Sequence, residues 1–262
     1  MRATRSRIKD FAVLVIWTAI VTSVSLILRP KGAYVTTFLY FVVPSVYLLW
    51  RYRLNTKKIL AGSLLIGIVI PLSFDILINF NQAWFVPDDQ LLISFRLFGF
   101  YPIDEIIWFF FVALYAILFY EIFVDYERTK RLSPNFVPAL AVWLFAILLT
   151  VLSVVLLGEP KIHNYPYLLI VGPFSLPPII YVLSLRPRLA YKFVIPTVFF
   201  FFVAFNFEIV ALTLGNWEFM SSYISLLEIF GRAIPVEEFV YWILLYPATA
   251  ISYYELLVDD GK

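Results

Sequence analysis

The chain has no cysteine and a single histidine, His163. The first absence excludes disulfides, thiolate metal sites and a cysteine nucleophile. The second excludes a histidine-built metal site, and His163, in the loop "GEPKIHNYP", is expected to be a solvent-facing bystander. Other signatures are missing too. Gly62 and Gly67 are followed by no lysine that would complete a phosphate loop, and there is neither a GxGxxG nor a GxSxG segment. The acids of "PDDQ" (87–90) lack a third carboxylate at helical spacing, so they form no diphosphate-binding motif. No cofactor, metal or nucleic-acid partner is expected. Charge itself is scarce: 15% of the 262 residues are charged, against 62% hydrophobic and 19% aromatic, with a mean hydropathy of +0.89. So little polar surface cannot cover a soluble fold.

What is present are long apolar runs. A bilayer-crossing helix needs roughly 20 residues, and eight runs approach or exceed that: 11–28, 34–50, 59–80, 102–124, 136–158, 166–184, 193–214 and 235–257. The expected fold is an all-α integral membrane protein. The first run follows "MRATRSRIK" and has no small-residue cleavage site behind it, so a retained span is expected rather than a signal peptide. With the N-terminus inside, fifteen of the 20 Lys and Arg fall on the inner side, Lys58 and Lys192 among them. The positive-inside rule then predicts a multi-pass protein of the cell membrane with both termini cytoplasmic.

The sequence also repeats. At an offset of 133, Pro44 falls on Pro177, Arg53 on Arg186, Phe74 on Phe207, Trp84 on Trp217 and Pro102 on Pro235. Acid meets acid as well: Asp75 on Glu208, Asp104 on Glu237, Glu105 on Glu238. A one-residue slip then aligns "YEIFVD" (120–125) with "YELLVD" (254–259). This divides the chain into units 1–132 and 133–262, joined near "DYERTKRLSPN". Four spans per unit give both copies the same polarity, which predicts a pseudo-two-fold axis along the membrane normal. Between the third and fourth spans of each unit lie "PDDQLLISFRLFG" (87–99) and "MSSYISLLEIFG" (220–231). Each has an N-cap residue and a terminal glycine, so each is expected to be a short interfacial helix, lid-like.

The acids decide the chemistry. In "PIDE" and "PVEE", proline followed by carboxylates is ordinary helix-start chemistry, through proline's fixed φ and the macrodipole. Asp75 and Glu208 do not fit that account, because each lies inside an apolar run with no Lys or Arg within a helical turn. A carboxylate there should face the interior, pair, or hold a proton. Asp75, Glu105, Glu208 and Glu238 are expected to converge on one outer-side chamber. Asp104 and Glu237, rotated by roughly 100° from their neighbours, compete with them for the inward direction. A protonated carboxyl beside an ionised one can deliver and accept protons. Trp84, Trp217, Trp108, Trp242 and Tyr241 offer π faces to a cationic intermediate. Glu121 and Glu255 are expected to pair with basic inner loops, and the inner half of the bundle is otherwise expected to be dry.

"GNWEF" (215–219) followed by "IPVEEFVYWILLYPATAISYYE" (234–255) resembles the small membrane-embedded lycopene cyclases, a family of actinobacterial heterodimeric, fused archaeal and fungal bifunctional proteins. Its hallmark is a Pro-x-Glu-Glu helix start with an upstream tryptophan and acid, once per half. The second copy is the better match; the first has Asp104 for the leading glutamate and "QAW" before its tryptophan. The resemblance implies redox-neutral cyclisation of lycopene, a lipid-soluble carotenoid. Glu105 and Glu238 would be the acid–base pair, Asp75 and Glu208 would tune them, and no flavin would be needed. It also implies membrane lipid and other carotenoid-pathway enzymes as surroundings. A C50-carotenoid or meroterpenoid cyclase, a proton-coupled transporter and a non-catalytic scaffold are the alternatives.

Overall fold

The computed structural model describes residues 2–127, 129–157 and 162–259, with side chains from Ser6 onward. Of the basic residues counted by side, Arg128, Lys161 and Lys262 lie outside these, as do the side chains of Arg2 and Arg5. The protein is an all-α membrane protein, 75% helical. Among the described residues, seven helices are long and apolar enough to cross a bilayer: α1 (Ser6–Leu28), α2 (Ala33–Arg51), α3 (Thr56–Phe80), α4 (Ile103–Asp125), α5 (Phe136–Leu156), α6 (Pro166–Leu185) and α7 (Pro187–Leu214). The eighth expected run is also helical, α8 (236–258). Its tyrosines, Pro247 and Glu255 make it less apolar than the others, and that keeps it out of the seven.

α4 and α8 touch at the centre, with α3 and α7 flanking them. α2 covers α4 and α6 covers α8, whereas α1 lies on α7 and α5 on α3. In α4 every residue from Val112 to Tyr120 is nearly inaccessible, as expected of a helix apolar on all sides at the middle of a bundle. α1 and α5 are mostly exposed along their lengths, the pattern of lipid-facing helices. Gly67 lets α3 approach α4 closely: a Cβ there would sit 2.7 Å from the Phe109 carbonyl oxygen.

Of the five π turns among the described residues, three, at Phe38–Val42, Leu65–Val69 and Phe239–Leu245, are each followed two residues on by a proline, Pro44, Pro71 or Pro247; the other two, Glu121–Asp125 and Tyr254–Val258, lie at the inner ends of α4 and α8. Proline has no N–H and its ring displaces the carbonyl four residues back, so the chain shifts to longer hydrogen bonds ahead of it.

The two outer connections are β-hairpins rather than helices. Only Asp88–Gln90 makes a single 3₁₀ turn. β1 (Arg96–Leu97) pairs with β2 (Tyr101–Pro102), and β3 (Leu226–Ile229) with β4 (Arg232–Pro235). The glycines read as helix ends are turn residues: Phe98–Gly99 and Phe230–Gly231 all have positive φ. In the second hairpin these two residues form the whole loop, as a type I′ turn requires. β-branched and aromatic residues before a Gly suit a strand and turn as well as a short helix, and backbone pairing decides between them.

At the inner end the bundle carries a buried ionic network, so it is not bare hydrocarbon. Lys58 and Lys192 are only 2% and 5% exposed and are not loop charges. Lys58 pairs with Glu121 at 2.8 Å and Asp259 at 3.1 Å; Lys192 pairs with Asp125 at 2.6 Å and Glu255 at 3.2 Å. The Tyr254 hydroxyl donates to Glu121 at 2.5 Å, and Tyr120 donates to Glu255. Each lysine thus holds one acid from the inner end of α4 and one from the inner end of α8 or just beyond it. Every partner lies 134 residues from its counterpart, the slipped register of "YEIFVD" and "YELLVD". At the inner edge Leu132 also bridges to Asp259.

Removing one partner from a buried ion pair leaves the others uncompensated, at a cost of about 3–5 kcal/mol. Lys192→Met is therefore expected to lower the unfolding temperature in detergent markedly, while Arg186→Met, on the exposed inner loop, leaves it within experimental scatter. Thermal unfolding monitored by tryptophan fluorescence distinguishes the two.

Candidate functional site

α2, α3, α4, α6 and α8, with the outer loops that carry Trp84 and Trp217, surround one cavity of about 560 Å³. Its wall is almost wholly apolar and aromatic, with Trp84, Trp108, Trp217, Tyr241 and Trp242 all contributing. The carboxyls of Glu105 and Glu238 enter it from the first turns of α4 and α8. The roof is tied together by Phe85 and Glu218, which exchange two backbone hydrogen bonds of 2.8 Å. Those residues directly follow Trp84 and Trp217, so the two tryptophans enter the cavity from one shared backbone bridge.

The adjacent acids separate as one helical step requires. Asp104, at the cavity's rim, turns toward the outer loop and accepts the Leu92 and Ile93 N–H groups at 2.5 and 3.1 Å. Glu237 does the same for Ile224 at 2.7 Å. Both therefore hold the outer loops against the helix starts. Glu105 and Glu238, one residue on, face inward.

Asp75 and Glu208 do not line the cavity; each lies behind one of its glutamates and is fully inaccessible. Asp75 sits beside Glu105 and Tyr101, yet neither of its oxygens has a hydrogen-bond partner of good geometry among the described residues. Burial, with the charges of Asp75 and Glu105 added, pushes the Tyr101 phenol above its ordinary range, so it stays a neutral hydroxyl. Glu208 lies beside Glu238 and accepts the Trp217 indole N–H at 3.0 Å, with the Trp242 N–H close by.

The two glutamates differ in their surroundings. Glu105 accepts Asn79 Nδ2 at 2.7 Å and Trp84 Nε1 at 3.3 Å. Glu238 has the Tyr167 hydroxyl as its neighbour, and its Oε2 has no partner among the described residues. The ring of Trp84 meets the ring of Tyr167 edge-on at 5.5 Å, so one aromatic pair joins the surroundings of the two glutamates. On the opposite wall Trp108 and Trp242 stand 4.8 Å apart.

Asn79, Tyr101 and Tyr167 are site residues that sequence reasoning missed. Tyr167 carries a signal, since Tyr34 is its counterpart at the 133-residue offset. Asn79 carries none, because its counterpart is Leu212. His163 is exposed and contributes only its carbonyl, to the Ser222 hydroxyl. Comparison with protein-family models, curated proteins and solved structures returned no match.

Beside the hairpin pairing, charge-assisted bonds accepted by Asp104 and Glu237 tie the loops to the helix starts. Asp104→Ala is expected to speed hydrogen exchange at Leu92 and Ile93 roughly tenfold or more while leaving α4 amides unchanged. Exchange mass spectrometry in detergent would measure this, and Glu237→Ala is expected to act likewise at Ile224.

Proposed function

We propose that the chain is a membrane-embedded, proton-initiated cyclase of the acyclic ends of lycopene, acting in carotenoid biosynthesis. The observation that carries the reading is the pairing of Glu105 and Glu238 in one aromatic, apolar cavity, each backed by a second buried acid. Such a cavity accepts a hydrocarbon from the bilayer and excludes water from a carbocation, while the tryptophan faces offset its charge. A carboxylic acid protonates the terminal alkene, the ring closes, and a carboxylate removes a proton, giving a β- or an ε-ring. The reaction is redox-neutral, so its chemistry calls for no cofactor. A C50 carotenoid or a meroterpenoid chain would undergo the same steps.

On this reading α8 is an eighth span, and the chain is two four-span units about a pseudo-two-fold axis. The Phe85–Glu218 bridge and the reciprocal lysine network support it, since the first joins residues 133 apart and each residue of the second has its counterpart 134 residues away. The charge distribution supports cytoplasmic termini and a place in the cell membrane. A proton-coupled carrier would need polar groups linking the cavity to the inner face. The Lys58 and Lys192 groups there are instead saturated by carboxylates.

The test is pigment analysis of a lycopene-accumulating bacterium expressing the chain. Ring-bearing carotenoid is expected with the parent chain and lycopene alone with the Glu105→Gln/Glu238→Gln double variant. Unchanged lycopene in both, with the protein present in membranes, would reject lycopene as the substrate.

A further inference from the structure

The two cavity-facing glutamates are counterparts, but their hydrogen bonds are not. An indole or amide N–H can only donate, so a carboxyl oxygen that accepts one presents a lone pair and is poorly placed to carry a proton. Two carboxyls side by side in an apolar site do not both ionise, so each pair keeps one proton. In the first pair the N–H donors go to the cavity-facing member: Glu105 takes Asn79 and Trp84, while Asp75 behind it takes none. In the second pair the order is reversed: Glu208, behind, takes Trp217 on Oε1 and leaves Oε2 without a partner among the described residues, whereas cavity-facing Glu238 takes no N–H among them and has the Tyr167 hydroxyl beside it. A hydroxyl can donate or accept, so it tolerates a protonated carboxyl.

We infer that Glu238 is the proton donor of the site and Glu105 the proton acceptor, an assignment that rests on the cyclase reading. The Glu238 O–H bond breaks, and the terminal alkene's π pair forms the new C–H bond, leaving a tertiary cation. The internal alkene's π pair closes the ring and moves the charge to a ring carbon. A C–H bond beside that carbon breaks; its pair forms the ring double bond and its proton goes to a Glu105 oxygen. One proton enters and one leaves, and exchange with water resets both groups. Asn79 is the positioning residue that makes the halves unequal, because Leu212 at the equivalent place cannot donate.

Membranes containing the chain and lycopene, incubated in D₂O, separate the two roles. With the parent, ring product carries deuterium delivered by the donor. Glu238→Gln is expected to abolish both ring product and deuterium in recovered lycopene. Glu105→Gln is expected to cut ring product by at least a hundredfold, yet to leave deuterium in recovered lycopene. The cation still forms there and collapses by returning a hydron to Glu238. Asn79→Leu, a milder change, is expected to slow cyclisation roughly tenfold and to raise that exchange above the parent level, which a purely structural defect would not do. Deuterated lycopene from Glu238→Gln and none from Glu105→Gln, or none from either at parent-like membrane levels, would overturn the assignment. A parent chain that leaves lycopene unlabelled and unchanged would instead overturn the cyclase reading beneath it.

Discussion

Two lysines buried among carboxylates at the inner end of the bundle set the geometry of the rest. A lone ammonium in that setting is too costly to keep, and a lone carboxylate equally so. Lys58 therefore needs Glu121 and Asp259, and Lys192 needs Asp125 and Glu255. Since each set draws on both α4 and the end of α8, satisfying the charges fixes the axial register of these two helices against each other. Tyr120 and Tyr254 reinforce the constraint by each donating across to the other set's glutamate. A slide by one turn would strand six charged groups at once. The network thus favours one arrangement strongly, whatever its net contribution to stability.

Register fixed at the inner end is carried through α4 and α8 to their outer ends, where Glu105 and Glu238 emerge. Neither helix can rotate freely, because Asp104 and Glu237 hold loop amides on an adjoining face of each helix start. The adjacent-acid sequence is in that sense a two-way device. One carboxylate satisfies orphan backbone donors of the outer loop, and its neighbour is thereby turned into the cavity. Ordinary helix-start chemistry and the cavity acids are parts of one structure rather than competing explanations.

Much of this was legible in the residues. The acid-on-acid matches at the repeat offset drew attention to Asp75, Glu105, Glu208 and Glu238, which are all buried, and their apolar context marked Asp75 and Glu208 as interior. The ionic network was hidden because the repeat slips by one residue: at the main offset Lys58 falls on Tyr191, and only the slipped register brings it to Lys192. Both lysines also sit at span ends, where a snorkelling charge is the ordinary expectation. The hairpins were misread because a glycine after an apolar stretch ends a helix or turns a strand with equal ease. Their short strands carry too few residues for alternation to decide. Asn79 was invisible for a different reason, since it is informative only through its absence from the second half.

That absence matters for what a duplicated site can do. Two identical carboxyls facing one cavity would hold equal claims on a proton, and neither would be poised to give it while the other received. Transferring a proton in at one ring carbon and another out at a second needs unequal partners. Here inequality comes from exchanging which member of each pair receives the indole N–H: Trp84 reaches the front acid, Glu105, whereas Trp217 reaches the rear one, Glu208. The acids stay matched, while their donors diverge through single changes such as Asn79 against Leu212. A proposed two-fold scaffold can therefore keep the symmetry that the buried lysines require at one end and break it at the other, where the proposed chemistry needs a direction.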